Sequence, residues 1–214
     1  MPTIKGTKSK TRARKPPTRD ARKALTHERV LRAALEIFSE EGFEKASTAA
    51  IARKAGVSHG TVFVVAPTKE RLAVAAFEAS IRGVVERSFL AAEPGAELVD
   101  TLEHVFGKLF DYYMRNPALS RALLRHLTFS PDPEAKRQYD GLIGEFIGAI
   151  ERRFAERQTS LHPEIGPRDA ARQCFAVYLY WLLLLLNGEF PNREEHRRAF
   201  RRQLDAAMRG IMRR

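Results

Sequence analysis

Cysteine is almost missing. Cys174 is the only one in 214 residues, so the chain cannot close a disulfide on itself, which fits a reducing compartment such as the cytoplasm. Long apolar runs are missing too. The longest, Cys174 to Leu186, has 13 residues, short of the ~20 that a membrane-spanning helix requires. The basic N-terminus has no apolar core behind it and is not a secretory signal. The usual signatures of catalysis are absent: there is no Gly-rich phosphate loop, no G-x-S-x-G, no H-E-x-x-H and no Cys–His spacing suited to a metal. Asp100 and His104 stand one helical turn apart and Cys174 sits alone beside an apolar run. A surface pair and an inert core thiol account for them. The expectation is a cytoplasmic protein with no membrane span, no catalytic residue, no metal and no cofactor.

Acidic residues are scarce at one end only. Residues 1–26 hold nine basic side chains against Asp20 alone, so that stretch carries +8 of the formal +11. It has prolines, small polar residues and no periodic apolar positions, and reads as a basic arm that is disordered when free. A solubilising tail is the plain reading of such an arm. Beside a nucleic-acid-binding unit, Arg12, Arg14, Lys15, Arg22 and Lys23 become candidate contacts to phosphates or a minor groove. The remainder, with 44% hydrophobic and 29% charged residues in the whole chain, has the profile of a globular protein with ample core.

The stretch from Ser47 to Lys69 organises the rest. Ser47 or Thr48 can cap a helix whose apolar face is Ala50, Ile51 and Ala55. Gly56 ends it where a left-handed backbone is easy, Val57 plugs the turn, and Ser58 caps a second helix from about His59 to Ala66 that must stop at Pro67. Helix, tight turn and helix is the arrangement that lays a helix in the DNA major groove, though an ordinary helical hairpin has the same pattern. Ahead of it, Thr26 to Glu41 reads as an amphipathic helix stopped by Gly42, with Val30, Leu31, Ala34, Leu35 and Phe38 on one face.

From Arg29 to Leu72 the sequence RVLRAALEIFSEEGFEKASTAAIARKAGVSHGTVFVVAPTKERL resembles the DNA-binding domain of the TetR (tetracycline repressor) family of bacterial regulators. AALEIF, EGF, IARKAGVS, GT and PTKE carry the resemblance, over about a fifth of the chain. It implies that Thr48 and Lys69 meet phosphates, that Ser58, His59, Gly60 and Thr61 lie at the groove-facing start of the recognition helix, and that Val62 anchors that helix. Phe63 and Val64 complete the candidate DNA-binding set. The sequence departs from the family where a second aromatic and a histidine usually donate to phosphates: Val64 and Val65 stand there and can donate nothing from their side chains. Apolar contacts with thymine methyls, compensation by the arm, and a decayed DNA function are the three consequences open at this point.

Helix follows helix thereafter: about 68–92, 96–115, 117–129, 134–158, Pro167 to Leu186 and Asn192 to Met212, with Pro- and Gly-bearing breaks between them. Phe106, Phe110, Tyr113, Met114, Phe146, Tyr178 and Trp181 are soft or aromatic residues on the central helices. Each alone is ordinary core; the resemblance makes them candidate lining for a small apolar or aromatic ligand. The last two helices have more apolar face than one subunit covers. Phe175, Leu179, Leu182 and Leu186, with Phe200, Leu204, Met208 and Ile211, are the expected four-helix interface of a homodimer, which is also where the family dimerises.

The expected fold is therefore all-α: a basic arm (1–26), a three-helix helix-turn-helix domain (27–72) and a helical ligand-binding and dimerisation bundle (73–214). The expected function is a dimeric regulator, released from a palindromic site on double-stranded DNA by its ligand. Two rivals stand beside it: a low-specificity basic DNA-coating protein, and a ligand-binding helical protein with a relic helix-turn-helix.

Overall fold

The computed structural model describes residues 18–93, 95–129 and 133–213, and every regular element among them is helical. In chain order these are α1 (Arg19–Glu41), α2 (Thr48–Ala55), α3 (His59–Val65), α4 (Lys69–Leu90), α5 (Leu98–Tyr113), α6 (Pro117–Thr128), α7 (Pro133–Ala155), a 3-10 turn (Gln158–Ser160), α8 (Pro167–Leu186) and α9 (Arg193–Ile211).

Most helix starts are set by side chains within one turn of them. Ser47 accepts from Ala50 N at 3.1 Å, Thr68 from Arg71 N at 3.2 Å, Asn116 from Leu119 N at 3.0 Å and Asn192 from Glu195 N at 2.9 Å. Each bond satisfies a first-turn N–H that has no partner inside its own helix. Pro117 and Pro167 open their helices at positions where a missing N–H costs nothing.

The start of α1 corrects the expected arm. The helix begins at Arg19, capped by Thr18 through Ala21 N at 3.3 Å, and not at Thr26. Its first turns are exposed nearly all round, so they carry no apolar stripe for periodicity to detect. Arg, Ala, Lys and Leu nonetheless favour helix there. The arm is thus helical from Arg19 onward, and residues 1–17 lie outside the described residues.

The helices form two packed layers of core around α4. α1 crosses α2 and α4, with Val30, Ala34, Phe38, Ile51, Val62 and Leu72 buried between them. Further along, α4 packs on α5 and α7, α7 on α8, and α8 on α9, while α5 closes the ring against α8 and α9. Leu102, Phe106 and Leu109 of α5, Ile150 and Phe154 of α7, Cys174 and Leu182 of α8, and Phe200 and Leu204 of α9 fill that second core. α8 is long and apolar enough to cross a bilayer by composition alone, yet 44% of that stretch is buried inside the bundle. At 22 residues α4 is ~33 Å long, and it belongs to both cores.

The end of α9 is tied back to the body of the bundle. His162 N donates to Ile211 O at 2.8 Å and Arg213 N to Ser160 O at 2.9 Å, tying the end of α9 to the loop before α8.

Candidate nucleic-acid interface and effector cavity

The helix-turn-helix is built from α2, a left-handed glycine and α3. Gly56 has φ 63 and ψ 41, and its N–H and that of Val57 satisfy the last carbonyls of α2. Arg29, reaching from α1, donates to Ala55 O and, at 3.2 Å, to Gly56 O. A cation on the exposed carbonyls of a helix C-terminus is doubly favoured, by hydrogen bonding and by the helix dipole. Lys54 adds an ion pair to Glu40 at 2.7 Å and one to Glu36 at 3.2 Å, again across to α1. Arg29 escaped the sequence reading because its partners lie 26 and 27 residues away.

Val62 is the buried anchor of α3, and Ala66 caps its end inside the core. The outer face then carries His59, Gly60, Phe63 and Val64, with Phe63 47% and Val64 79% exposed. Thr48 Oγ1 and His59 Nε2 share a hydrogen bond of 2.8 Å, joining the heads of α2 and α3. The His59 and Phe63 rings meet edge to face at 4.8 Å. Ser58 spends its hydroxyl on the cap of α3, with Thr61 N at 3.2 Å and Thr61 Oγ1 at 2.8 Å. Lys69 donates to Glu44 O at 3.2 Å and sits 4.7 Å over the Phe43 ring, holding the first turn of α4 to the turn after α1. Val65 is half-buried and packs inward, so of the two valines only Val64 lies on the outer face. Arg22 and Lys23 are exposed on the first turns of α1; Arg12, Arg14 and Lys15 lie outside the described residues.

In the bundle, Phe106, Phe110, Tyr113, Phe146 and Tyr178 lie together in one aromatic cluster. Phe106 stacks on Tyr178 at 4.8 Å, Phe146 meets both edge-on, and Phe110 lies 5.4 Å from Tyr178. Burial pushes the Tyr113 and Tyr178 phenols well above their ordinary range, each influencing the other. Beside them a void of about 20 Å³ is walled by Phe77 and Ile81 of α4, Leu142 and Phe146 of α7, and Phe175 and Leu182 of α8. Two expected residues belong elsewhere. Trp181 packs against Phe190 at 5.4 Å and His196 at 5.7 Å, toward α9. Met114 closes the end of α5, where its carbonyl accepts from Arg193 at 3.4 Å.

The expected dimer residues need a correction. Phe175, Leu182, Leu186, Phe200, Leu204, Met208 and Ile211 are buried within the single chain, and Leu179 borders the void. An apolar pattern reveals that a helix has a face to bury, but not which of two greasy faces its own fold covers. The apolar side chains that α8 leaves outside are Ala176, Tyr180 and Leu183, the last two 59% and 48% exposed. Cys174 is an interior thiol, 3.9 Å from Met208 Sδ and pushed up to about 12 by burial.

The family model for bacterial regulatory proteins of the tetR family matches residues 30–76, from α1 into α4. Over 158 residues the chain is 30% identical to the HTH-type transcriptional repressor KstR of Mycolicibacterium smegmatis, covering 74% of this chain and 75% of that protein. The chain belongs to the TetR family. It is a helix-turn-helix transcriptional regulator. It is also 27% identical, over 124 residues, to the nucleoid occlusion factor SlmA of Mannheimia succiniciproducens, covering 55% of this chain and 56% of that one. Among solved structures, the TetR-family repressor FadR of Thermus thermophilus, in complex with lauroyl-CoA, superposes with a TM-score of 0.67 at 25% identity, over 88% of this chain and 96% of that one. A TetR-family regulator from Mesorhizobium loti shares the fold, with a TM-score of 0.66 at 20% identity over 92% of this chain and 100% of that one.

Proposed function

We propose that this regulator is a cytoplasmic homodimeric repressor, not an enzyme, whose DNA affinity falls when a small, largely apolar ligand enters the bundle. α4 carries the argument. Its first turns are bound into the helix-turn-helix through Lys69 and the buried Leu72, and its middle, at Phe77 and Ile81, is a wall of the void. A drug-sized ligand needs ~300–1,000 Å³, far more than the 20 Å³ present. Entry therefore requires α4, α7 and α8 to separate, and α4 cannot move without carrying the DNA-binding unit. Asn116 Nδ2, donating to Ser39 O at 3.3 Å, ties the corner between α5 and α6 to α1 and provides a second mechanical link. A ligand that prefers the expanded bundle thereby depletes the DNA-binding form.

In this reading Thr48, His59, Gly60, Thr61, Phe63, Val64 and Lys69 form the DNA face, and Arg22 and Lys23 extend it along α1. Phe106, Phe110, Tyr113, Phe146 and Tyr178 surround the ligand, whose polar end meets the two tyrosine hydroxyls. The outer face of α8, at Ala176, Tyr180 and Leu183, is the dimer surface. A ligand with a long hydrocarbon part suits such walls, and the lauroyl-CoA held by the Thermus thermophilus FadR supports that class.

The test is a random-sequence DNA selection with the full chain, followed by titration of the recovered operator with lauroyl-CoA and with medium-chain fatty acids. A palindrome with half-sites ~34–36 Å apart, bound less tightly once ligand is added, is the expected result. Binding without a motif would favour a DNA-coating role, and tight ligand binding with no operator would favour a relic helix-turn-helix. An operator whose affinity ignores a ligand that does bind the bundle would overturn the release mechanism.

A further inference from the structure

α3 places two large apolar side chains in solvent where the fold has no use for them. Val62, Val65 and Ala66 already seat the helix on its core, while Phe63 and Val64 point away from it. On the outer face His59 and Phe63 form one row and Gly60 and Val64 the next, each pair one helical turn apart.

Gly60 is unexplained from inside the protein. Its φ is not positive, and a Cβ built on it would meet nothing nearer than Ser58 Oγ at 3.9 Å. Alanine would be the better helix former there. With neither backbone nor packing asking for glycine, clearance for a body approaching from outside is the remaining physical reason. The polar groups nearby are engaged within the protein: Thr48 with His59, and Ser58 with Thr61 and the cap. The middle of the face consequently offers carbon to its partner rather than hydrogen-bond donors.

In a DNA major groove, one base edge presents a methyl group, at C5 of thymine; no base edge presents a methyl in the minor groove. We infer that Phe63 and Val64 read thymine methyl groups, with Gly60 letting α3 settle close enough for van der Waals contact. The inference rests on the DNA-binding reading above and names the chemistry by which that face selects sequence. It also accounts for valine at a position where the resemblance leads one to expect a phosphate-bonding aromatic: contact to the backbone has been exchanged for contact to bases.

Deoxyuridine is the probe, because it removes the C5 methyl and leaves base pairing intact. Using the full chain and the selected operator, each thymine of a half-site is replaced in turn. Burial of one methyl corresponds to about a fourfold change in affinity, so one or two positions should each lose about fourfold, and about fifteenfold when both half-sites are changed together. Val64→Thr keeps the shape and adds a hydroxyl at an exposed site. It should melt like the parent, bind the thymine operator more weakly, and distinguish thymine from uracil less than the parent does at the position Val64 reads, while the position read by Phe63 keeps its preference. Gly60→Ala should hold or raise the melting temperature while weakening operator binding. Sequence-specific binding that is indifferent to uracil at every position, or a Val64→Thr protein that discriminates as fully as the parent at every position, overturns the inference alone. Absence of sequence-specific binding to any duplex overturns the DNA-binding reading and the inference with it.

Discussion

Replacing Gly56 with alanine tests how the turn between α2 and α3 is held. The backbone there is left-handed, with φ 63 and ψ 41, which costs an L-residue about 1–2 kcal/mol. The new Cβ would lie 3.0 Å from Arg29 Nη2, so the guanidinium must give way, and backing off weakens its hold on Ala55 O and Gly56 O. Arg29 is the far end of a flexible side chain and can swing into water, so the further loss is that of its hydrogen bonds. For a charged donor at a partly exposed site, that is about 1–1.5 kcal/mol. Gly56→Ala should therefore cost about 2–3.5 kcal/mol, and lower the melting temperature by ~4–14 °C for a chain of this size. Arg29→Ala alone should cost about 1–1.5 kcal/mol. In the double variant there is no guanidinium left to displace, so it should be no less stable than Gly56→Ala alone. Urea denaturation of the four proteins, followed by circular dichroism, measures the cycle. Strict additivity of the two single costs would show that Arg29 does not leave when Gly56 gains a side chain, and would refute the reasoning.

Three further expectations use other parts of the molecule. Glu78 is buried on α4 with Oε1 lacking a hydrogen-bond partner, and burial raises its carboxyl above the usual range, opposed by Arg82 and reinforced by Glu145. The unfolded chain ionises first as pH rises, so Glu78 erodes stability upward from the ordinary carboxylate pKa. Glu78→Gln should thus melt a few degrees higher at pH 7 and level with the parent near pH 4; an equal gain at both would exclude titration as the cause. Leu183→Glu on the outer face of α8 should give a folded monomer in sedimentation equilibrium, and an unchanged dimer would place the interface elsewhere. Removing residues 1–17 should flatten the dependence of log affinity on log salt by ~0.9 for each phosphate the arm neutralises, and an identical slope would leave the arm no electrostatic part in binding.

How much of this was legible beforehand divides by range. Ser47, Ser58, Gly42, Gly56, Pro67 and Pro117 act on backbone groups within about four residues, so helix boundaries and the helix-turn-helix could be read from the linear chain. The same locality misled at Thr26: an exposed helical extension leaves no apolar stripe, and its true cap, Thr18, lies eight residues earlier. Sidedness was not legible. Phe200, Leu204 and Ile211 show a clean stripe, but only the packing of α9 on α5 and α8 reveals that this stripe faces its own core. Trp181 has the composition of a cavity residue and points instead at Phe190 and His196. Arg29 could not be recognised at all, because its role exists only once residues 26 and 27 positions away have been folded against it. Capping and chain punctuation are short-range chemistry and are written in neighbouring residues. Which apolar face is inside, how little space the aromatic cluster leaves, and which cation closes the turn are outcomes of packing between distant segments, and tertiary structure alone decides them.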